Sequence, residues 1–391
     1  MLALDAPTWL KDCISRFSLS YHQGKLLARY VTGLIASGNK TIAGISSVFM
    51  KQGMRAMNRL MTEYPWDTSK INMERLEELQ KHNETRWSKN GILIIDDTIL
   101  EKSGKHIPYV GKFYDHSEGR YVNGHCIVSM HYSDHKTNYA IDYRLYVKKG
   151  NEEFKTKIEL AKELVEQYRF IPAQTVVWDT WYTCREMVEH AESMNKLWIG
   201  KCRPNMLVKV RGKYVSVEEW ANSIDKKEFY EVDVDGRKFF VYNKHLYIKS
   251  LGCVKRVIVS VAPDDDGKDG RIIYLLTNRS DHAKKIVADY ILRWKIEGFH
   301  KDAKQHLGLG KVQVRNIEGI RRHWYLVFLA HSLLRLGVSE SSFGRNLIRS
   351  IGKKAKCICI QLLEDFISWI VSAGNQNNLH EIMEVFLYRQ T

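Results

Sequence analysis

The chain has 391 residues, 44% of them hydrophobic and 27% charged, which excludes a disordered or fibrous protein and allows two or three domains. Its longest apolar run, near Trp324–Ala330, is far short of the roughly 20 residues of a membrane span, and the first ten residues lack the basic cluster of a secretory signal. Lys and Arg number 60 against 45 Asp and Glu, a net charge of +15 that suits a polyanionic partner, either nucleic acid or an anionic membrane surface. The 7 cysteines are scattered and form no CxxC, so neither a zinc ribbon nor a disulfide framework is expected, and the thiols read as reduced and cytosolic.

Residues 1–88 read as helical. Leu26, Leu27, Tyr30, Val31, Leu34 and Ile35 recur at helical spacing, and Gly33, Gly38 and Asn39 mark the end of that stretch. Thr41–Met50 and Gln52–Glu63 read as a helix pair around Gly53, with Arg55 and Arg59 one turn apart. The pair suits a helix-turn-helix whose arginines meet DNA, or equally a helical bundle with solvated arginines. The basic excess is concentrated here and later: +5 over 1–90 (13 basic, 8 acidic) and +5 over 281–325 (10 basic, 5 acidic).

From residue 91 the pattern changes. Ile92–Ile95 is a short apolar run typical of a buried strand, followed at once by Asp96, Asp97 and Thr98. A glycine- and lysine-rich loop over 102–119 leads to two strand-like runs, Cys126–His131 and Tyr139–Val147. A helix over 152–169, a buried strand Thr175–Trp178 ended by Asp179, a helix over 183–195 and a strand Leu197–Lys201 follow. Strands alternating with helices argue for an α/β core. Residues 205–276 break the alternation: Val208–Val217, Glu228–Val234, Lys238–Tyr242, Lys255–Val261 and Arg271–Thr277 all read as strands, with turns at Asp235-Gly236 and over 264–270. One long helix is expected over 281–307, closed by Gly308 and Gly310, and further helices run to the C-terminus.

Two of the buried strands end in an aspartate. Asp97 and Asp179 could share a metal, and oxygen ligands of this kind suit Mg²⁺ or Mn²⁺; each could equally cap a turn. On the late helix, Tyr290, Arg293, Glu297 and Lys304 fall at roughly 0°, −60°, −20° and −40° around the axis, one narrow polar stripe. Leu292, Ile296, Phe299 and Ala303 take the opposite, buried face. A carboxylate flanked by two cations and a phenol can serve a metal beside phosphate groups, or form ordinary ion pairs on a solvated face. His131 and His135 lack further metal ligands, and no GxxxxGK[ST] phosphate loop occurs.

The stripe resembles the Y-x2-R-x3-E-x6-K signature of bacterial and archaeal insertion-sequence transposases of the DDE class, with every spacing matched. Trp294, Phe299 and His300, with Leu307, Gly308 and Leu309, extend the likeness. Asp96, Asp97 and Thr98 with Lys102, Gly104, Lys105, Asn123 and Gly124 resemble that family's first-Asp block. Val176–Asp179 with Trp181 and Tyr182 resembles its second. The likeness covers about 60–330.

The resemblance implies an α/β ribonuclease H-like core interrupted by a β-rich insertion, with helical N- and C-terminal regions. The implied layout is a DNA-binding domain over 1–88, core over 89–204, insertion over 205–276, core over 277–335 with the Glu helix, and a C-terminal helical region over 336–391 that could dimerise. Asp97, Asp179 and Glu297 would be the catalytic triad and the metal ligands. Asp97 is preferred to the adjacent Asp96 because the family motif places Thr directly after the catalytic Asp. The triad would hold two Mg²⁺ ions, which Mn²⁺ could replace; one ion would activate water and the other would stabilise the leaving 3′-oxygen. The freed 3′-OH would then attack target DNA. Tyr290, Arg293 and Lys304 would hold phosphate. Trp181, Trp220 and Trp294 would stack on an unpaired base or pack in the core. Arg55 and Arg59 would serve end recognition. The implied partners are double-stranded DNA, as element ends and target, and a second copy of the chain in a synaptic homodimer, with no membrane. The implied location is cytoplasmic and nucleoid-associated. The alternatives are a stand-alone nuclease on the same fold and a transposase-derived DNA-binding protein without catalysis.

Overall fold

The structure, a computed structural model, describes residues 3–49, 53–104, 106–115, 118–262, 270–336 and 350–375. Met50, Gln52, Lys105, most of the expected 264–270 turn and much of the C-terminal region after 336 lie outside the described residues. The chain forms two units, one of residues 1–86, 99–125 and 298–391, the other of residues 87–98 and 126–297.

The first unit begins with five helices: α1 (Thr8–Ser15), α2 (Tyr21–Ala36), α3 (Ile42–Ser46), α4 (Met54–Thr62) and α5 (Thr68–Lys81). A capping box of Ser20 and Gln23 opens α2, and the Asp67 side chain caps α5. The expected pair Thr41–Met50 and Gln52–Glu63 is shorter than the pattern suggests. α3 is little more than one turn, and Gly53 is the N-cap of α4. Arg55 and Arg59 are exposed on α4, Arg59 within 3.5 Å of Glu63.

The second unit is built on a mixed sheet. Its strands are β1 (Ile92–Glu101), β3 (Arg120–Ser133), β4 (Asn138–Tyr146), β5 (Thr175–Trp178), β6 (Leu197–Lys201), β7 (Leu207–Val210), β8 (Lys213–Ser216), β9 (Tyr230–Val234), β10 (Arg237–Ile248), β11 (Cys253–Val261) and β12 (Ile272–Thr277). The ends of β1 and β3, with the short β2 (Gly111–Asp115) that pairs with β3, belong to the first unit. The order is β3-β1-β5-β6-β12-β11-β10-β7-β8, with β4 on β3 and β9 on β10. β1, β5 and β6 run parallel, and their apolar runs are buried. β3 and β4 are antiparallel, as is everything from β12 onward.

The strands of 205–276 therefore extend the central sheet through β12, which pairs with β6. The Asp235-Gly236 hairpin is present with both residues at positive φ, 52° and 78°. Val208–Val217 is not one strand but the hairpin β7–β8, turning at Arg211 and Gly212 (φ 47° and 82°). Gly212 is the one mark of this break in the sequence, since arginine does not announce positive φ. A helix, α8 (Val217–Asn222), also lies in this stretch.

α6 (Lys157–Gln167) packs on β4, and α7 (Arg185–Ser193) on β6. The expected single helix over 281–307 is two: α9 (Ala283–Ile291) and α10 (Trp294–His306). Between them the backbone tightens, with Arg293 N–H donating to Tyr290 O (3.0 Å) and Ile296 N–H to Arg293 O (3.1 Å). One core cluster joins Ile92, Ile94, Val177 and Ile199 of the sheet to Ile286, Val287 and Tyr290 of α9, and to Leu292 and Ile296. Val232, Val234, Phe239 and Val241 of β9 and β10 complete it.

A buried ion pair anchors α9. Arg279 donates to Asp289 at 2.6 Å, and both side chains are almost fully buried. Removing one partner strands a charge in the core, so Arg279→Ala should cost about 3–5 kcal/mol in urea unfolding. A loss below about 1 kcal/mol would show that the pair does not anchor the helix.

α11 (Ile317–Leu336), the expected apolar helix, is buried around most of its circumference and packs with α2, α4, α5 and α12 (Ile351–Asn375). Arg322 donates to Leu60 O and Met61 O at the end of α4 and lies over the Trp66 ring, 4.7 Å from its centroid. No helix among the described residues is long and apolar enough to cross a membrane.

Candidate active site

Parity along β1 decides which aspartate looks where. Side chains alternate between the faces of a strand, and residues paired across parallel strands share a face. Ile92 and Ile94 point into the cluster beneath α9, as does Val177, the partner of Ile94. The β1–β5 register ends at Ile95 opposite Trp178. Continued by one residue it sets Asp96 opposite Asp179, whose backbone is still extended (φ −83°, ψ −175°). Asp96 and Asp179 thus follow the α9 face, and Asp97 takes the other.

The hydrogen bonds agree. Asp96 accepts from Arg293 Nη1 at 3.1 Å, and Arg293 Nη2 donates to Glu297 at 2.6 Å. Arg293 thereby spans the middle of β1, which runs on through Asp96 and Asp97 to Glu101 rather than ending at the aspartates, and the first turn of α10. Its side chain is 9% exposed, while that of Glu297 is 42% exposed. Burial pushes the Asp96 carboxyl up to about 7; Arg293 opposes that rise, and Asp179 and Asp97 add to it. Asp179 is raised by burial and again by Asp97. Burial works against the Arg293 charge, but Tyr290, Asp96 and Glu297 together hold it above its ordinary value.

Asp97 is occupied differently. Lys157 Nζ donates to it at 2.6 Å, the Tyr182 hydroxyl at 3.0 Å and the Cys126 thiol at 3.5 Å. The triad expected from sequence is therefore divided: Asp179 and Glu297 lie on the Asp96 side, and Asp97 is locked against the first residue of α6. Strand alternation carried from Ile92 and Ile94 would have shown this. Lys157 and Lys201 were not legible as site residues. Lys201, at the end of β6, feels both Asp179 and Glu297; burial lowers its pKa, and Arg271 and Arg293 lower it further.

The remaining sequence candidates separate by exposure. Trp181 is 57% exposed with the Lys157 ammonium 5.5 Å above its ring. Trp294 is 44% exposed beneath the guanidinium groups of Arg293 and Arg271, each 5.2 Å away. Trp220 is buried beside Tyr242 and offers no face to a base. Tyr290 is also buried, its ring under Arg293, so the arginine stands where the stripe predicts the phenol. The interruption after α9 is the reason, since a uniform 100° step does not hold across it. Lys304 follows Glu297 by seven residues on α10, half-buried and near the His300 imidazole in the first unit.

The sequence matches the family model described as DDE superfamily endonuclease over residues 15–215. The chain belongs to that family. Asp96, Asp97 and Asp179 of this DDE superfamily member fall inside the match, and Arg293 and Glu297 lie beyond it. DDE-type endonucleases generally use divalent metals. No curated protein matches the sequence. Solved structures similar to the chain include the NurA nuclease from Sulfolobus solfataricus (10% identity, 71% of this chain and 97% of that one, TM-score 0.25). Others are human ENDOV (10%, 66% and 93%, TM-score 0.23) and the catalytic domain of human Endonuclease V (11%, 71% and 100%, TM-score 0.24).

Among the described residues no three carboxylate, histidine or cysteine side chains are already gathered around one point that could hold a metal. The donor set still fits a hard divalent cation: Asp96 and Asp179 supply oxygens on one face, and their mutual repulsion is what such a charge relieves. Glu297 reaches the pair through Arg293.

Proposed function

We propose that this DDE superfamily chain is the transposase of an insertion sequence, which cuts DNA at the element's ends and joins the freed 3′-OH ends to target DNA. The observation that carries the reading is the Asp96–Arg293–Glu297 connection beside Asp179, formed by the Y-x2-R-x3-E-x6-K residues. The strand order β4-β3-β1-β5-β6, with β5 and β6 parallel to β1, supports a ribonuclease H-like core.

Asp96, Asp179 and Glu297 would hold Mg²⁺, or Mn²⁺ in its place; the bound cation supplies Lewis-acid activation at the scissile phosphate. Arg293, freed from its carboxylates, would grip the phosphate through its two outer nitrogens. Trp181 and Trp294 offer exposed indole faces at which an unpaired base could stack. The helices before residue 88, with Arg55 and Arg59 exposed, would read the element's ends, and 205–276 would act as an insertion within the core. A homodimer would pair two ends. α12 offers it a stripe of exposed Ile360, Leu363, Ile367 and Val371. The cytoplasmic nucleoid is the location this role requires.

The test is cleavage of a mini-element bounded by the inverted repeats that flank the gene. Nicking at the repeat ends with Mg²⁺ and none with EDTA is the expected result. Metal-dependent cutting with no preference for those ends would leave a nuclease but remove the transposase.

A further inference from the structure

The first unit holds a basic cavity of about 440 Å³ that the carboxylate site does not use. One wall is the loop after β1, with Lys102, Ser103, Gly104 and His106; the other is the segment before α11, with Lys311, Gln313 and Arg315. The walls are tied together from beneath. Lys102 is 6% exposed, and its ammonium donates to Gly310 O at 2.8 Å and Val312 O at 2.7 Å. Those carbonyls are its only polar partners among the described residues, so its charge is buried with no carboxylate beside it. Burial, with Lys311 nearby, lowers its pKa to about 8.

Among the described residues the one acid on the rim is already engaged, since Glu101 takes both outer nitrogens of Arg120 at 3.1 Å. Lys311 and Arg315 are exposed and make no ion pair among the described residues. A pocket with a buried cation at its floor and two unpaired cations at its rim lacks an anion. Exposed lysines and arginines on an ordinary solvated face would not need a buried ammonium between them.

We infer that this cavity seats a backbone phosphodiester of duplex DNA, with Lys311 and Arg315 contacting the phosphate over the Lys102 floor. The inference rests on the reading of the chain as an enzyme acting on DNA, and it adds a phosphate subsite outside the carboxylate cluster. Lys102 is the positioning residue, because its two carbonyl bonds set the spacing of the walls.

The test is binding of the full chain to duplex DNA in EDTA at several salt concentrations, which is independent of cleavage. Each lost phosphate contact removes about 0.9 from the slope of log K against log salt. Lys311→Ala with Arg315→Ala removes that one phosphate contact, so it should flatten the slope by about one unit and weaken cognate and random duplexes alike. Lys311→Arg with Arg315→Lys should restore it. Both positions are exposed, so the melting temperature serves as the control for folding. Inorganic phosphate at constant ionic strength should compete only weakly. An unchanged slope in the alanine double variant overturns the inference. So does tight binding of inorganic phosphate that leaves DNA affinity untouched, which would make the cavity a free-phosphate site. Either failure leaves the mini-element result standing.

Discussion

Asp96→Asn and Glu297→Gln should each reduce strand cleavage by on the order of a thousandfold, about 4 kcal/mol of barrier, with duplex binding largely retained. Both substitutions keep size and remove a charged oxygen donor. Asp179→Asn should behave in the same way. Asp97→Asn is the informative contrast. It leaves the Lys157 ammonium, 21% exposed, without its counter-charge, so it should destabilise the fold by about 3 kcal/mol while the folded fraction still cuts. Gel assays of cleavage beside urea melts separate the two effects. A stable, inactive Asp97→Asn protein beside an active Asp96→Asn protein would return the metal-binding role to Asp97, where the sequence motif puts it.

Acid should unfold the first unit through three buried imidazoles. Burial holds His125 and His323 at about 4 and His300 at about 3, against about 6.5 in an unfolded chain. His323 shows why: Nε2–H donates to Gly308 O at 2.9 Å, while Nδ1 is 2.9 Å from the Tyr30 hydroxyl. That arrangement uses the neutral ring. Because the folded values are depressed, the unfolded state takes up protons first. The stabilisation is complete above about pH 6.5 and is lost as pH falls toward 4 and 3. At pH 5 each ring should have cost about 2 kcal/mol, about 6 kcal/mol for the three. Chemical denaturation between pH 7.5 and 5 measures it. His323→Gln should remove about a third of the pH dependence, and a flat profile would show that these rings titrate normally.

Part of this architecture was legible because two core strands are short apolar runs with clear stops, whereas β1 runs on through Asp96 and Asp97 to Glu101, past the end of its apolar run. Thr175–Trp178 and Leu197–Lys201 begin and end where the pattern puts them. Leu292, Ile296, Phe299 and Ala303 are buried as their spacing requires. The misses have local causes. The helix carrying the signature breaks after Ile291 without Pro or Gly to mark it. The two carbonyl bonds of Lys102 join residues 208 and 210 positions apart, beyond the reach of any local pattern. The pairing of Asp96 with Glu297 through Arg293 is also a tertiary fact; strand parity bears only on the faces of Asp96, Asp97 and Asp179.

The excursion between β6 and β12 leaves and returns at paired positions, Lys201 opposite Leu275 and Ile199 opposite Thr277. Its two halves are unequally free to change. Val232, Val234, Phe239 and Val241 cover α9, so shortening β9 or β10 would uncover the helix that leads into Arg293. The β7–β8 hairpin forms the sheet's far edge and sends no side chain into that cluster. Length drift among relatives should therefore accumulate at the hairpin tip around Arg211 and Gly212. The Asp235-Gly236 end should keep its two-residue turn, because lengthening it would shift the strand pair that covers α9.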